Sequence, residues 1–370
     1  MKSMFIHIGH GKTGSSFLQS ILALNSELLS ASGLFYPAAP TNPAAANGKI
    51  TSGNGRLLFE NADYGSTDAG TVVFSGETLF RDLRQGKRAD LLASLQQRYQ
   101  VTICVYTRDV FEHSFSRWAQ NVKRGGVSLD LNQYLIANPL GPWQLVRDWL
   151  RLSCEYGFNF VVRNYSRHKH DLLETFFYDL SGSDSIVSTL ERPPNRTVNR
   201  SLSFSEFEIQ RLFNMVEKKR SSLYISDAVV NELPDVESAQ LRCSYEAYEC
   251  VKDHNVGVVE ELNASIPADE AVQVECSDEV CEADSSLVES ISMEQLAVMS
   301  KGIKERLLTL DELDTIRDIA FRIAANSRDN ADLEDAKNLI SIVSEKRPNA
   351  PVVKAKLAEW SEKLKLKESD

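Results

Sequence analysis

Apolar positions in the first half of the chain follow two rhythms. Residues 4–8, 71–75, 101–107 and 160–162 are short, nearly continuous apolar runs bounded by turn formers. Such runs are too short for helices and read as strands buried on both faces. Between them, apolar residues recur three and four apart. After Ser15 they are Phe17, Leu18, Ile21, Leu22 and Leu28. This spacing predicts a helix opening at Ser15, and others over 89–98, 111–123, 129–137, 143–154 and 168–180. Residues 37–70 are rich in Pro, Ala, Asn and Gly and read as a long excursion, with a short helix near 56–61. Strands alternating with helices predict an α/β fold, a three-layer sandwich around a mostly parallel sheet.

The rhythm changes further on. Residues 181–202 read as a polar loop containing Pro193 and Pro194, and Ser205 is the expected cap of a helix running to about residue 220. Another helix is expected over 243–262. From Met293 onward every segment has helical spacing, with helices expected over 311–325, 333–346 and 352–366. The expected organisation is an α/β domain over 1–267, an acidic linker over 268–290 and an all-helical region over 291–370. That region reads as either the end of a tetratricopeptide-like array or a plain helical bundle, and it suggests a protein partner or self-association.

Composition narrows the function classes. The 370 residues carry a net charge of −11, which argues against a general nucleic-acid binder. The acid is concentrated, however: residues 227–296 hold eighteen Asp and Glu against Arg242 and Lys252. The remainder is slightly basic, so an anionic ligand in the N-terminal half is allowed. No apolar run reaches the ~18 residues of a membrane span, and the first residues lack a signal-peptide pattern, so a cytoplasmic location is expected. Six cysteines without CxxC or zinc-finger spacing are expected to be reduced thiols, with Cys276 and Cys281 the one pair placed to oxidise. No metal-ligand cluster appears.

The candidate chemistry begins at Gly9-His10-Gly11-Lys12-Thr13-Gly14-Ser15-Ser16. A strand, a Gly-rich turn and a helix N-terminus form an anion cradle, because the turn's N–H groups and the helix dipole both favour negative charge. Lys12 adds a full charge, and Ser15 and Ser16 add hydroxyl donors. The segment is not a Walker loop, since aligning Gly11-Lys12-Thr13 with that pattern's end puts its first glycine at Ile6. A second motif follows the 101–107 strand: Arg108, a short turn, and Ser116 on the next helix. An arginine at a strand's carboxyl end can take a phosphate bidentately, and ligands of open α/β sheets bind at that edge.

Lys12-Thr13-Gly14-Ser15-Ser16 resembles the 5′-phosphosulfate loop of sulfotransferases that use 3′-phosphoadenosine-5′-phosphosulfate (PAPS), and Arg108 with Ser116 resembles their 3′-phosphate motif. The family usually has Pro where this chain has Val110. Ser75-Gly76-Glu77-Thr78-Leu79, Arg163-Asn164-Tyr165 and Asn199-Arg200-Ser201-Leu202-Ser203 are similar to bacterial carbohydrate-type members. The resemblance covers roughly residues 3–265. It implies a P-loop-like fold, transfer of a sulfuryl group from PAPS to a hydroxyl or amine, and release of 3′,5′-ADP without a metal. The expected acceptor is a carbohydrate or glycolipid. Gly11, Lys12, Thr13, Gly14, Ser15 and Ser16 would bind the 5′ side, and Arg108 and Ser116 the 3′-phosphate. Arg196 and Arg200 are expected to close over the nucleotide. Lys12 would neutralise charge on the transferring group, with Glu77 as general base and His10 as the other candidate; His113 reads as a surface or packing residue. The competing readings are a P-loop kinase-like phosphotransferase and a non-enzymatic helical-repeat adaptor with a decayed α/β domain.

Overall fold

A computed structural model describes residues 1–9, 11, 13–40, 42–46, 53–60, 64, 68–82, 87–193, 200–276, 291–327, 330–347 and 350–368. The chain divides into two units, Met1–Ser221 with Pro234–Ser290, and Ser222–Leu233 with Ile291–Asp370.

The first unit is α/β, as expected. Its strands are β1 (Lys2–Ile8), β2 (Leu34–Phe35), β3 (Thr71–Gly76), β4 (Tyr99–Thr107) and β5 (Asn159–Asn164). They form one all-parallel sheet in the order β2-β3-β1-β4-β5. The two-residue edge strand β2 is too short to show a period and was not foreseen. Parallel neighbours require crossovers. Helices α1 (Ser15–Leu24), α2 (Ser26–Ala31) and α3 (Asn42–Ala46) lie between β1 and β3, and α4 (Leu79–Asp82) and α5 (Lys87–Arg98) link β3 to β4. Next, α6 (Val110–Gln120), α7 (Leu131–Ala137) and α8 (Trp143–Tyr156) lead to β5, after which come α9 (Leu172–Ser181) and α10 (Phe204–Glu217).

Alternate residues of the strands face opposite layers. Phe5, Val73 and Tyr106 pack with Leu18 and Ile21 of α1 and Phe176 and Phe177 of α9. On the other face, Trp149 of α8 stacks on Phe160 at 6.0 Å and donates Nε1–H to the Phe80 carbonyl at 3.0 Å. Covering both faces explains the unbroken apolar runs. The chain leaves β1 toward β2 and β3 on one side, then crosses to β4 and β5 on the other. That reversal opens a crevice at the carboxyl ends beside β1.

Three sequence expectations need correction. The cap of α10 is Ser203, not Ser205: both serines precede a glutamate by three, but Ser203 and Glu206 make the reciprocal capping box. The helix also stops at Glu217, where Lys218 turns to φ 52°. The stretch 268–276 is no linker. Glu270 and Val272 are buried, and the Val110 amide donates to the Gln273 carbonyl; residues 277–290 lie outside the described residues. Cys104, Cys154, Cys243 and Cys250 are free thiols, whereas Cys276 is disulfide-bonded. Helix α11 (Ser226–Glu232) was not foreseen and belongs with the C-terminal unit; α12 (Tyr245–Asn263) returns to the first.

The second unit is all helical, with α13 (Met293–Ala325), α14 (Asn330–Lys346) and α15 (Pro351–Glu368) joining α11. Its core holds Leu313, Ala320, Leu333, Ala336, Ile340, Val343 and Trp360, with Phe321 edge-on to Trp360 at 5.9 Å. Gly302 lets α13 approach the Tyr224 carbonyl, since a Cβ there would lie 2.4 Å from that oxygen. No described helix is long and apolar enough to cross a membrane.

Candidate functional site

The turn after β1 is shaped by its glycines. Gly11 and Gly14 adopt φ of 59° and 76°, conformations that favour glycine. A Cβ on Gly14 would come within 2.5 Å of Leu172 and 3.1 Å of Tyr165. Gly14 is also the N-cap of α1 and provides no side-chain cap, leaving the first-turn amides to another acceptor. Thr13 and Ser15 are buried, and their hydroxyls have no hydrogen-bond partner among the described residues. Buried unpaired hydroxyls in a Gly-rich turn fit a site for an oxyanion with several acceptor atoms. His10, Lys12 and Arg196 lie outside the described residues.

Glu77 stands beside this turn at the end of β3. Its Cγ lies 2.9 Å from where a Gly9 Cβ would be, and the Gly9 amide donates to the Gly76 carbonyl at 3.2 Å. The close approach explains why position 9 lacks a side chain. Beneath it, buried His7 shares a 2.9 Å hydrogen bond with Ser75. Burial pushes the His7 imidazole down to about 4, so it is neutral at ordinary pH.

Arg108 projects just past β4. Its Nε donates to Glu112 Oε2 at 3.1 Å, and its guanidinium lies 5.5 Å from the Tyr165 ring centroid. Tyr165 therefore touches both Gly14 and Arg108 and joins the two motifs. Glu112 also accepts from Lys169 Nζ at 2.7 Å and Ser166 Oγ at 2.9 Å. Burial pushes the Glu112 carboxyl up, but the Lys169 hydrogen bond and the Arg108 charge outweigh it, so the group titrates below its ordinary value. Asp109 caps the end of β4 by accepting from Asn164 at 2.8 Å and the Gln273 amide at 2.9 Å.

All of this opens on one cleft of about 1040 Å³. Gly11, Gly14, Ser15, Ser16, Glu77, Arg108 and Ser116 line it, so the structure brings most of the described residues of both sequence motifs together; Thr13, fully buried, is not in the lining. Arg200 also lines it, but its guanidinium is committed to a buried pair with Glu206 at 2.7 and 2.9 Å. It builds the wall at the start of α10, not a clamp over a nucleotide. His113, also in the cleft lining, is buried against the Trp143 ring at 5.6 Å.

Sequence reasoning missed Glu112, Lys169 and Lys123 as cleft residues. Glu112 was within reach, since it falls in the first turn of the helix that follows the strand-end arginine. Lys123 sits on a π-helical turn, Asn121–Gly125, which no local pattern announces. Comparison with protein-family models, with curated proteins and with solved structures finds no match for this chain.

Proposed function

We propose that the chain is a sulfotransferase that takes a sulfuryl group from PAPS and gives it to a hydroxyl or amine, with a carbohydrate or glycolipid as the acceptor class. The observation that carries this reading is the single cleft joining the glycine turn to Arg108 and Ser116, with Tyr165 between them. In it, the first-turn amides of α1 and the hydroxyls of Ser15 and Ser16 would hold the 5′-phosphosulfate, and Arg108 and Ser116 the 3′-phosphate. Lys12 would oppose the charge that grows on the leaving oxygen. Glu77, set against the turn, would take the acceptor's proton as the new S–O or S–N bond forms, the bond to the 5′-phosphate oxygen breaks and 3′,5′-ADP leaves. Catalysis is then a matter of positioning and charge stabilisation.

A cytoplasmic location belongs to the same proposal; the Cys276 disulfide is the feature that weighs against it. The test is a thermal-shift comparison of 3′,5′-ADP, adenosine 5′-monophosphate and ATP with magnesium. At ~100 times its Kd, 3′,5′-ADP should add about 2.7 kcal/mol of stability, and the monophosphate far less. Equal shifts from these two would overturn the reading, and a shift from ATP with magnesium alone would favour a phosphotransferase. Glu77→Gln, which keeps size but not basicity, should lower kcat by about 10²–10⁴-fold and leave 3′,5′-ADP affinity unchanged. Turnover within a few-fold of the parent would remove Glu77 from the mechanism.

A further inference from the structure

We infer that the outer face of α10, with the basic residues that follow it, docks the protein on an anionic lipid surface. The inference is independent of the sulfotransferase reading. Three observations carry it.

First, α10 is turned inside out. A helix on a globular protein normally buries its apolar stripe and exposes its polar one. Here Glu206, Gln210 and Asn214, a polar stripe at four-residue spacing, are buried along with Phe207. Asn214 Nδ2 donates to the Val122 and Val127 carbonyls, both at 2.8 Å. Gln210 Nε2 donates to Asn214 Oδ1 at 2.8 Å and to Ser221 Oγ at 2.7 Å. These bonds fix which side of the helix faces inward. The outer side carries Leu212, Met215 and Val216, which are 60%, 61% and 81% exposed. Their three-and-four spacing sets them side by side, so they form a patch, and an exposed apolar patch marks an interaction site more often than single exposed residues do.

Second, the patch ends in positive charge. Lys218, Lys219 and Arg220 follow it directly and are exposed, and their side chains pair with no acid among the described residues. With Glu217, the four residues carry a net charge of +2. Glu208, one turn before Leu212 on the same stripe, is paired with Arg211 at 2.6 Å. In a chain whose net charge is −11, such a segment is what an anionic surface attracts.

Third, size and sign select the occupant. Three side chains fall well short of the ~1,000 Å² that a specific protein interface buries. A second copy docking by two-fold symmetry would bring the two basic segments into one interface, like charge against like. An anionic bilayer meets neither objection. The apolar side chains enter the boundary between headgroups and acyl chains, and each Lys or Arg near the surface strengthens adsorption by about fivefold.

The experiment is co-sedimentation of the full chain with vesicles of phosphatidylcholine alone and of phosphatidylcholine with phosphatidylserine in equal parts, at low and high salt. The wild-type chain should bind the mixed vesicles, bind the neutral ones far less, and lose binding as salt screens the charge. Lys219→Gln combined with Arg220→Gln should weaken binding to the mixed vesicles by about twentyfold. Leu212→Ser combined with Val216→Ser should weaken it by about tenfold or more, and its unfolding midpoint should match the wild type, because both side chains are exposed. A wild-type chain that leaves the mixed vesicles in solution would overturn the inference, as would equal binding to both kinds of vesicle or unchanged binding in the two variants. A dimer in sedimentation velocity that the serine variant disperses, without vesicle binding, would make the face a contact between copies and overturn it as well. Should the serine pair fail to fold, Val216→Ser alone takes its place. None of these outcomes alters the nucleotide tests of the functional reading.

Discussion

Arg108 and Arg163 leave the same edge of one sheet, on neighbouring strands, yet their surroundings differ. Arg163 is enclosed: Nε and Nη2 donate to Asp179 at 2.9 and 2.5 Å, and Nη1 to Glu270 at 2.7 Å. Those carboxylates are 5% and 2% exposed. The Asp179 hydrogen bond, against the pull of burial, and then Glu270 raise the Arg163 guanidinium above its usual value. Arg108 instead meets Glu112, whose side chain is 38% exposed and shared with Lys169 and Ser166. A strand-end arginine with two buried carboxylates acts as a rivet. One that shares a half-exposed carboxylate in a cleft lining is where the proposed function would place a phosphate.

The largest expected effect lies on the rivet. Glu270 accepts from Arg163, from the Asn164 amide at 2.6 Å and from His168 at 3.0 Å. Glu270→Ala would leave a partly buried guanidinium facing an empty carboxylate site and should cost about 3 kcal/mol in denaturant unfolding. The ratio of 3′,5′-ADP to 5′-AMP affinity should not change. If the variant keeps its stability but loses nucleotide selectivity, the two arginines do not divide the work as described.

Arg108→Ala should do the reverse. The 3′,5′-ADP affinity should fall by about tenfold to a hundredfold, while unfolding stability changes by about 1 kcal/mol or less, because Glu112 keeps Lys169 and Ser166. Calorimetry and chemical denaturation on the same preparation separate the two readings. A stability loss as large as that of Glu270→Ala would make Arg108 a second rivet.

The cleft side of this comparison was the legible side. The apolar run of β4, the arginine after it and the glycine turn after β1 are local patterns, and local patterns fix strands and turns. The rivet was illegible because its parts are far apart: Glu270 lies 107 residues beyond Arg163, in a stretch whose acidity reads as solvated linker. Only the folded sheet shows that this acid is buried. The cap at Ser203 was ambiguous for a related reason. Two serines satisfied the same spacing rule, and the buried Arg200–Glu206 pair favours the one whose box uses Glu206. Helix α11 was missed because its place in the C-terminal unit depends on contacts made more than sixty residues later, such as Lys301 with Glu232 at 2.9 Å.

The smallest expected effect is a pH dependence confined to the rivet. His168 Nε2 meets Glu270 at 3.0 Å, and Nδ1 faces Asp171 at 3.3 Å and the Thr175 hydroxyl at 3.2 Å. Burial alone would lower the imidazole's value, but the hydrogen bond to Glu270 and then that to Asp171 outweigh it, so the folded state holds the proton more tightly than the unfolded chain. A raised value means stability that is fully present below the unfolded value near 6.5 and is lost as pH rises through the folded one. His168→Gln should therefore cost more stability at pH 5.5 than at pH 9. The difference should stay under about 1 kcal/mol, because the ring is partly exposed and solvent screens its pairs. Urea midpoints of wild type and variant at the two pH values measure it. A difference that grows toward high pH would mean that the imidazole is held neutral, and would remove His168 from the charge balance around Glu270.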